Sequence, residues 1–206
     1  MPIRFGLWDG VLIVVVATQA TALAYLRRPR LKAFVLSLPI PFTIASLAVD
    51  HPIDATNVVG LIVLFLYTQG VRLLHTRLRL PIIAAIALSA LGYCLAAAAL
   101  VPLLPRSDVA FWAAGAGTCA LGLLLYRLLP ARPEPEHRTT LPLWIKWPAV
   151  SGVVSLLVIV KGALQGFTTV FPMVGVVAAY EARHSLWTIG RQIPVCMMTM
   201  APMMMA

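Results

Sequence analysis

PIIAAIALSALGYCLAAAALVPL, residues 81–103, runs for 23 positions without a charged side chain. A helix that packs on a soluble core is apolar along one stripe only, whereas this run is apolar on every side. Its length matches the roughly 20 residues needed to cross the hydrocarbon of a bilayer. Working outward, the rest of the chain has the same character. Of its 206 residues 61% are hydrophobic and only 11% charged, and the mean hydropathy is +0.92. Soluble domains have about 45–50% apolar and about 25% charged residues. A chain this short has too much surface to cover with the polar residues that remain. A soluble enzyme or binding domain is therefore excluded.

The fold class expected is all-α, a polytopic integral membrane bundle of about eight transmembrane helices. Candidate spans fall at about 7–26, 33–49, 56–75, 81–103, 109–129, 147–165, 167–181 and 186–206. The seventh is short, and the eighth reaches full length only by including Arg191. That helix either snorkels Arg191 to the interface or the natural chain continues past Ala206. The run from Gly10 is too long for a signal h-region, which makes the first span an uncleaved one.

Basic residues alternate between the connecting segments. Arg27, Arg28, Arg30 and Lys32 follow the first span, and Arg72, Arg77 and Arg79 the third. Arg127, Arg132, Arg138 and Lys146 surround the link between the fifth and sixth, and Arg183 and Arg191 the link between the seventh and eighth. Thirteen of the 16 Lys and Arg residues thus fall on one side, leaving Arg4, Arg106 and Lys161 on the other. The positive-inside rule makes the first side cytoplasmic and puts both termini outside. The net charge of +9 is then topogenic, with anionic membrane lipids as its partner. It forms no stripe or tail of the kind that binds nucleic acid. Trp8, Trp112, Trp144, Trp147 and Trp187 all sit near span ends, where indole rings prefer to lie.

The segment PARPEPEHRTTLP is rich in proline and charge. It reads as a cytoplasmic linker, 130–146, between a first membrane bundle (1–129, spans one to five) and a second membrane segment (147–206, spans six to eight). Cys94, Cys119 and Cys196 lie within spans at no metal-like spacing and read as small buried hydrophobes. Six methionines crowd into 197–205 beside Cys196. Soft sulfur donors suit Cu(I), but consecutive Met residues point all round a helix, so packing is the simpler reading. No catalytic motif, cofactor motif or metal site is read anywhere in the chain.

Charges at bilayer depth mark either pathways or structural pairs. The candidates for substrate or coupling groups are Asp9, Lys161, Glu181 and His184. Glu181 and His184 would share a helix face, one turn apart, as a proton relay or a carboxylate site; the simpler reading is a solvated cluster that ends the span. Lys161 either snorkels outward on its long stem or pairs across the bundle with Asp9, Asp50 or Asp54. The outer turn Asp50-His51-Pro52-Ile53-Asp54 reads as solvated. Small residues such as Gly115-x-Gly117 and Gly152 are candidates for close helix contacts.

PIPFTIASLAVD (39–50) aligns with VFPMVGVVAAYE (170–181) at one constant offset. It lays Pro41 on Pro172, Asp50 on Glu181 and Arg30 on Lys161. Spans one to three would repeat as spans six to eight in the opposite orientation, because five spans separate them. Inverted repeats with interrupted helices are the architecture of secondary transporters. Pro39, Pro41 and Pro172 would supply the interruptions.

FTTVFPMVGVVAAYEARHSLWTIGRQIP (167–194) resembles the core of the GlpM-type small bacterial inner-membrane proteins, and LSLPIPFTIASLAVDHPIDATNVVGL (36–61) a more distant copy of it. The resemblance implies a bacterial inner-membrane protein linked to exopolysaccharide production, with no catalytic residues to carry over. The function expected is a secondary-transporter-like permease for a small solute or lipid-linked intermediate. The alternative is a non-catalytic subunit or assembly factor of a larger membrane complex, or a homo-oligomer.

Overall fold

The computed structural model describes residues 7–36, 38–49, 52–135, 142–148, 150–152, 155, 167–170 and 173–205. Among them the chain is helical, with no strand. The helices are α1 (Leu7–Tyr25), α2 (Pro29–Leu36), α3 (Ile40–Val49), α4 (Ala55–Thr76), α5 (Ile82–Leu100), α6 (Asp108–Leu128), α7 (Phe167–Val170), α8 (Met173–Glu181) and α9 (Leu186–Met205). A further helical stretch covers 143–148, so helix already begins inside the expected linker. The expected sixth span, 147–165, lies mostly outside the described residues.

Four helices, α1, α4, α5 and α6, are long and apolar enough to cross a membrane. Local chemistry sets their ends. Asp54 caps α4 in a reciprocal box, its carboxylate accepting from the Thr56 N–H while its own N–H donates to Asn57 Oδ1. That is a structural use for Asp54; Asp50 and His51, the rest of the expected turn, lie outside the described residues. Ser107 caps α6 by accepting from the Ala110 N–H.

The expected second span is interrupted: it divides into α2 and α3 just before Pro39 and Pro41. Of the expected seventh span, the described residues are helical on both sides of 171–172, as α7 and α8, and those two positions lie outside the described residues. A proline cannot return an N–H to the carbonyl four residues earlier, so an apolar run that contains one need not form a single helix.

Helices from before and after the linker interleave. The core of α1 is lined by Leu12, Val16, Ala17, Ala20 and Ala24; these mostly small side chains let α3 and α8 approach it closely. α9 packs along α6 and α4, α5 packs along α4, and α7 sits between α3 and α4. α6 meets α9 through its buried positions Gly115, Thr118 and Gly122. A Cβ on Gly122 would lie 2.9 Å from Met197 Cβ and 3.0 Å from the Pro194 carbonyl oxygen. Gly117 and Gly152 have nothing within 4 Å of that position, so of the expected small-residue contacts only Gly115 meets a neighbour. Ile83, Leu88, Leu91 and Leu95 of α5 face outward, as lipid-contacting residues do. Trp8, Trp112, Trp144 and Trp147 are exposed near helix ends.

Candidate functional site

The α2–α3 interruption faces α7 and α8. α3 packs on α7, α2 touches α8, and α4 and α9 close around them. Between them lies a cavity of about 90 Å³. Leu38 and Pro41 line it from the interruption, Thr169 and Gly175 from α7 and α8, and Tyr67 and Cys196 from the long helices. Its walls are mainly apolar. Tyr67 is 3% exposed, and its hydroxyl has no hydrogen-bond partner among the described residues. A buried hydroxyl left in that state favours a polar guest.

Interrupted helices leave backbone groups that must be satisfied inside the protein. Pro39 has no N–H to offer the carbonyl of Val35. Gln19 of α1 donates to that carbonyl from Nε2 at 2.7 Å, and the Leu38 N–H adds a longer bond of 3.4 Å. In α7 the Tyr93 hydroxyl of α5 donates to the Phe167 carbonyl at 2.9 Å. Asn57 Nδ2 donates to Thr169 Oγ1 at 2.8 Å. We expect Tyr93→Phe, which keeps the ring and removes the donor, to cost about 1–3 kcal/mol. Thermal unfolding in detergent would measure it. An unchanged midpoint would mean that the carbonyl is satisfied without Tyr93.

A buried charge cluster lies where α8 ends. Lys146 forms an ion pair with Glu181, and both are at most 5% exposed. The Lys146 ammonium also lies 5.9 Å from the centre of the Tyr25 ring. Lys32 of α2 is equally buried and donates to the Glu181 backbone carbonyl at 3.4 Å. Burial pulls the Lys32 pKa below the ordinary lysine value. Glu181 opposes that fall, and Lys146 and Arg183 add to it. Both ammonium groups thus lie beside Glu181, whose Oε2 has no hydrogen-bond partner among the described residues.

The expected site residues separate. Glu181 is 2% exposed, which overturns its reading as a solvated span end. His184 is exposed and does not share a helix face with it, because α8 stops at Glu181 and residues 182–184 form a turn closed by Ser185 N–H on the Ala182 carbonyl. Asp9 is buried in the first turn of α1, where a carboxylate suits the positive end of the helix dipole. Lys161 and Pro172 lie outside the described residues. Lys32 and Lys146, absent from the expected set, supply the cluster's positive charge.

The same end of the molecule gathers basic residues from segments far apart in sequence. The guanidinium carbons of Arg72 and Arg132 lie 4.6 and 4.0 Å from the ring centre of Trp187. Arg191 donates from Nε to the Leu129 carbonyl at 2.7 Å and lies 4.7 Å from the Tyr126 ring. Glu134 of the linker accepts from the Trp187 and Thr188 N–H groups, at 3.0 and 2.7 Å, at the start of α9. The described part of the linker is therefore docked on α9. Comparison with protein-family models, curated proteins and solved structures finds no match, and the site is read on its own chemistry.

Proposed function

We propose that the chain is a secondary-transporter-like permease of the bacterial inner membrane, with both termini outside, that moves a small solute or a lipid-linked intermediate. The observation that carries this reading is an interrupted helix beside a cavity: the α2–α3 break is braced from α1 by Gln19, and α4, α7, α8 and α9 line the cavity with it. Non-helical backbone at membrane depth is tolerated where it lines a cavity or is buried in protein, and substrate sites of inverted-repeat transporters are built this way.

The element boundaries support the same reading. The offset that lays Pro41 on Pro172 carries Ala55, the first residue of α4, onto Leu186, the first residue of α9. Basic segments expected on the cytoplasmic side meet at one end, as Arg72, Arg132 and Trp187 do and as Lys32, Lys146 and Arg183 do around Glu181. Tyr67 and the hydroxyls beside it would hold the polar part of the solute. Glu181, with Lys32 and Lys146, is the coupling group, because a buried carboxylate between two ammoniums changes its partners when an anion or a proton arrives.

Cys196 lines the cavity and is 4% exposed, so it serves as a built-in reporter. In a variant with Cys94 and Cys119 replaced by alanine, a membrane-impermeant maleimide should label Cys196 in both right-side-out and inside-out vesicles, since alternating access opens the cavity to each face in turn. Labelling from one face only, or from neither, would overturn the transport reading in favour of a static subunit.

A further inference from the structure

We propose that a recess at the basic end of the molecule binds the phosphate headgroup of an anionic phospholipid. The recess is separate from the cavity beside the α2–α3 interruption and encloses about 850 Å³. Arg28 reaches it from the segment before α2, Arg132 and Glu134 from the linker, and Trp187, Thr188 and Arg191 from the first turns of α9. Three guanidinium groups thus converge on one space with a single carboxylate among them. Neither Arg28, Arg132 nor Arg191 forms an ion pair with a described carboxylate.

Each arginine is held so that charge still faces the recess. Arg132 stacks on Trp187 through its flat face, which leaves the edges of the guanidinium and their N–H groups free to donate. Arg191 uses Nε on the Leu129 carbonyl, so its two terminal nitrogens are not spent on that bond. Planar forks of this kind match phosphate oxygens bidentately. Arg72, whose guanidinium carbon lies 4.6 Å from the Trp187 ring centre, adds positive potential nearby. The fold already places one anion here, the Glu134 carboxylate on two backbone N–H groups.

The recess also has the setting that a lipid requires. Leu31 of α2 forms part of its wall and is 46% exposed, and Phe34, one turn on, is 60% exposed. Together they give the recess an apolar edge along which acyl chains can run. The arginines come from segments that the charge distribution assigns to the cytoplasmic side, where anionic headgroups are concentrated. A soluble phosphate compound would use the same arginines but would gain nothing from Leu31 and Phe34.

Native mass spectrometry of the full chain in a non-ionic detergent tests this, with dioleoyl phosphatidylglycerol and dioleoyl phosphatidylcholine as probes. Phosphatidylglycerol should be retained one to one, and phosphatidylcholine should not. Arg132→Gln and Arg191→Gln should each weaken retention about ten-fold, as loss of a charge-assisted pair does. Glu134→Gln should strengthen it about five-fold by removing the one negative neighbour, a gain that misfolding cannot produce. Millimolar inorganic phosphate distinguishes the sources: if it fails to displace the lipid, the acyl edge takes part, and if it displaces the lipid fully, the phosphate alone is recognised. Equal retention of both lipids, or arginine variants that bind phosphatidylglycerol like the parent, would overturn the proposal.

Discussion

Glu181→Leu should lose about 3–5 kcal/mol of stability, the cost of removing one partner from a buried ion pair. The reason is local. Lys146 and Lys32 are both buried beside Glu181, and without its carboxylate two ammonium groups face each other in a low-dielectric setting. Glu181→Gln keeps the shape and should lose less, because the amide oxygen still accepts from Lys146. The double variant Lys146→Met with Glu181→Leu should recover most of the loss, since a buried ion pair and an apolar pair of similar volume are often equally stable. Thermal unfolding in detergent reads all three. If Glu181→Leu melts with the parent, water reaches the cluster and its burial does not govern its energetics.

The second large effect belongs to the α6–α9 contact. Gly122→Val should cost at least about 1–3 kcal/mol, because its Cβ alone falls 2.9 Å from Met197 Cβ and 3.0 Å from a backbone oxygen. Backbone cannot swing aside as the end of a flexible side chain can. Gly117→Ala, five residues away on the open side of the same helix, should be neutral or gain up to about 1 kcal/mol of helix propensity. Pulse proteolysis of the two variants side by side separates a packing effect from a general intolerance of α6. Equal stability would mean that α6 and α9 do not meet along this face.

The contrast between those two glycines shows what could be read in advance. Residues 115 and 117 are two positions apart and so point to different sides of a helix, whereas 115 and 122 return to one side after two turns. Recognising the partner face needs α9, which is distant in sequence. The four long apolar helices were legible because an unbroken apolar run of membrane length is itself the structural signal; their observed ends fall within a few residues of the expected ones. Pro39 and Pro41 marked an interruption, but nothing local marked Gln19 as the group that satisfies it.

The charge cluster was half legible. Glu181 stood out because it closes an apolar run. Lys32 and Lys146 were absorbed into the count of basic residues that orients the chain, and a count carries no depth. Lys146 did leave a local sign, lying between two tryptophans in LWIKWP, where a lysine has apolar neighbours on both sides. The pairing of His184 with Glu181 failed because it extended a helix that the turn at 182–184 ends.

α9 has 20 residues, yet with Arg191, Gln192, Pro194 and Pro202 it is not among the four helices apolar enough to cross by composition. The insertion machinery would partition such a segment poorly on its own, since an arginine placed well inside a spanning helix is costly. What receives it is already synthesised: the Leu129 carbonyl, the Tyr126 ring and the Glu134 carboxylate all precede it in the chain. The groups that hold the polar side of α9 thus all lie upstream of it in the chain, at the end of α6 and in the linker.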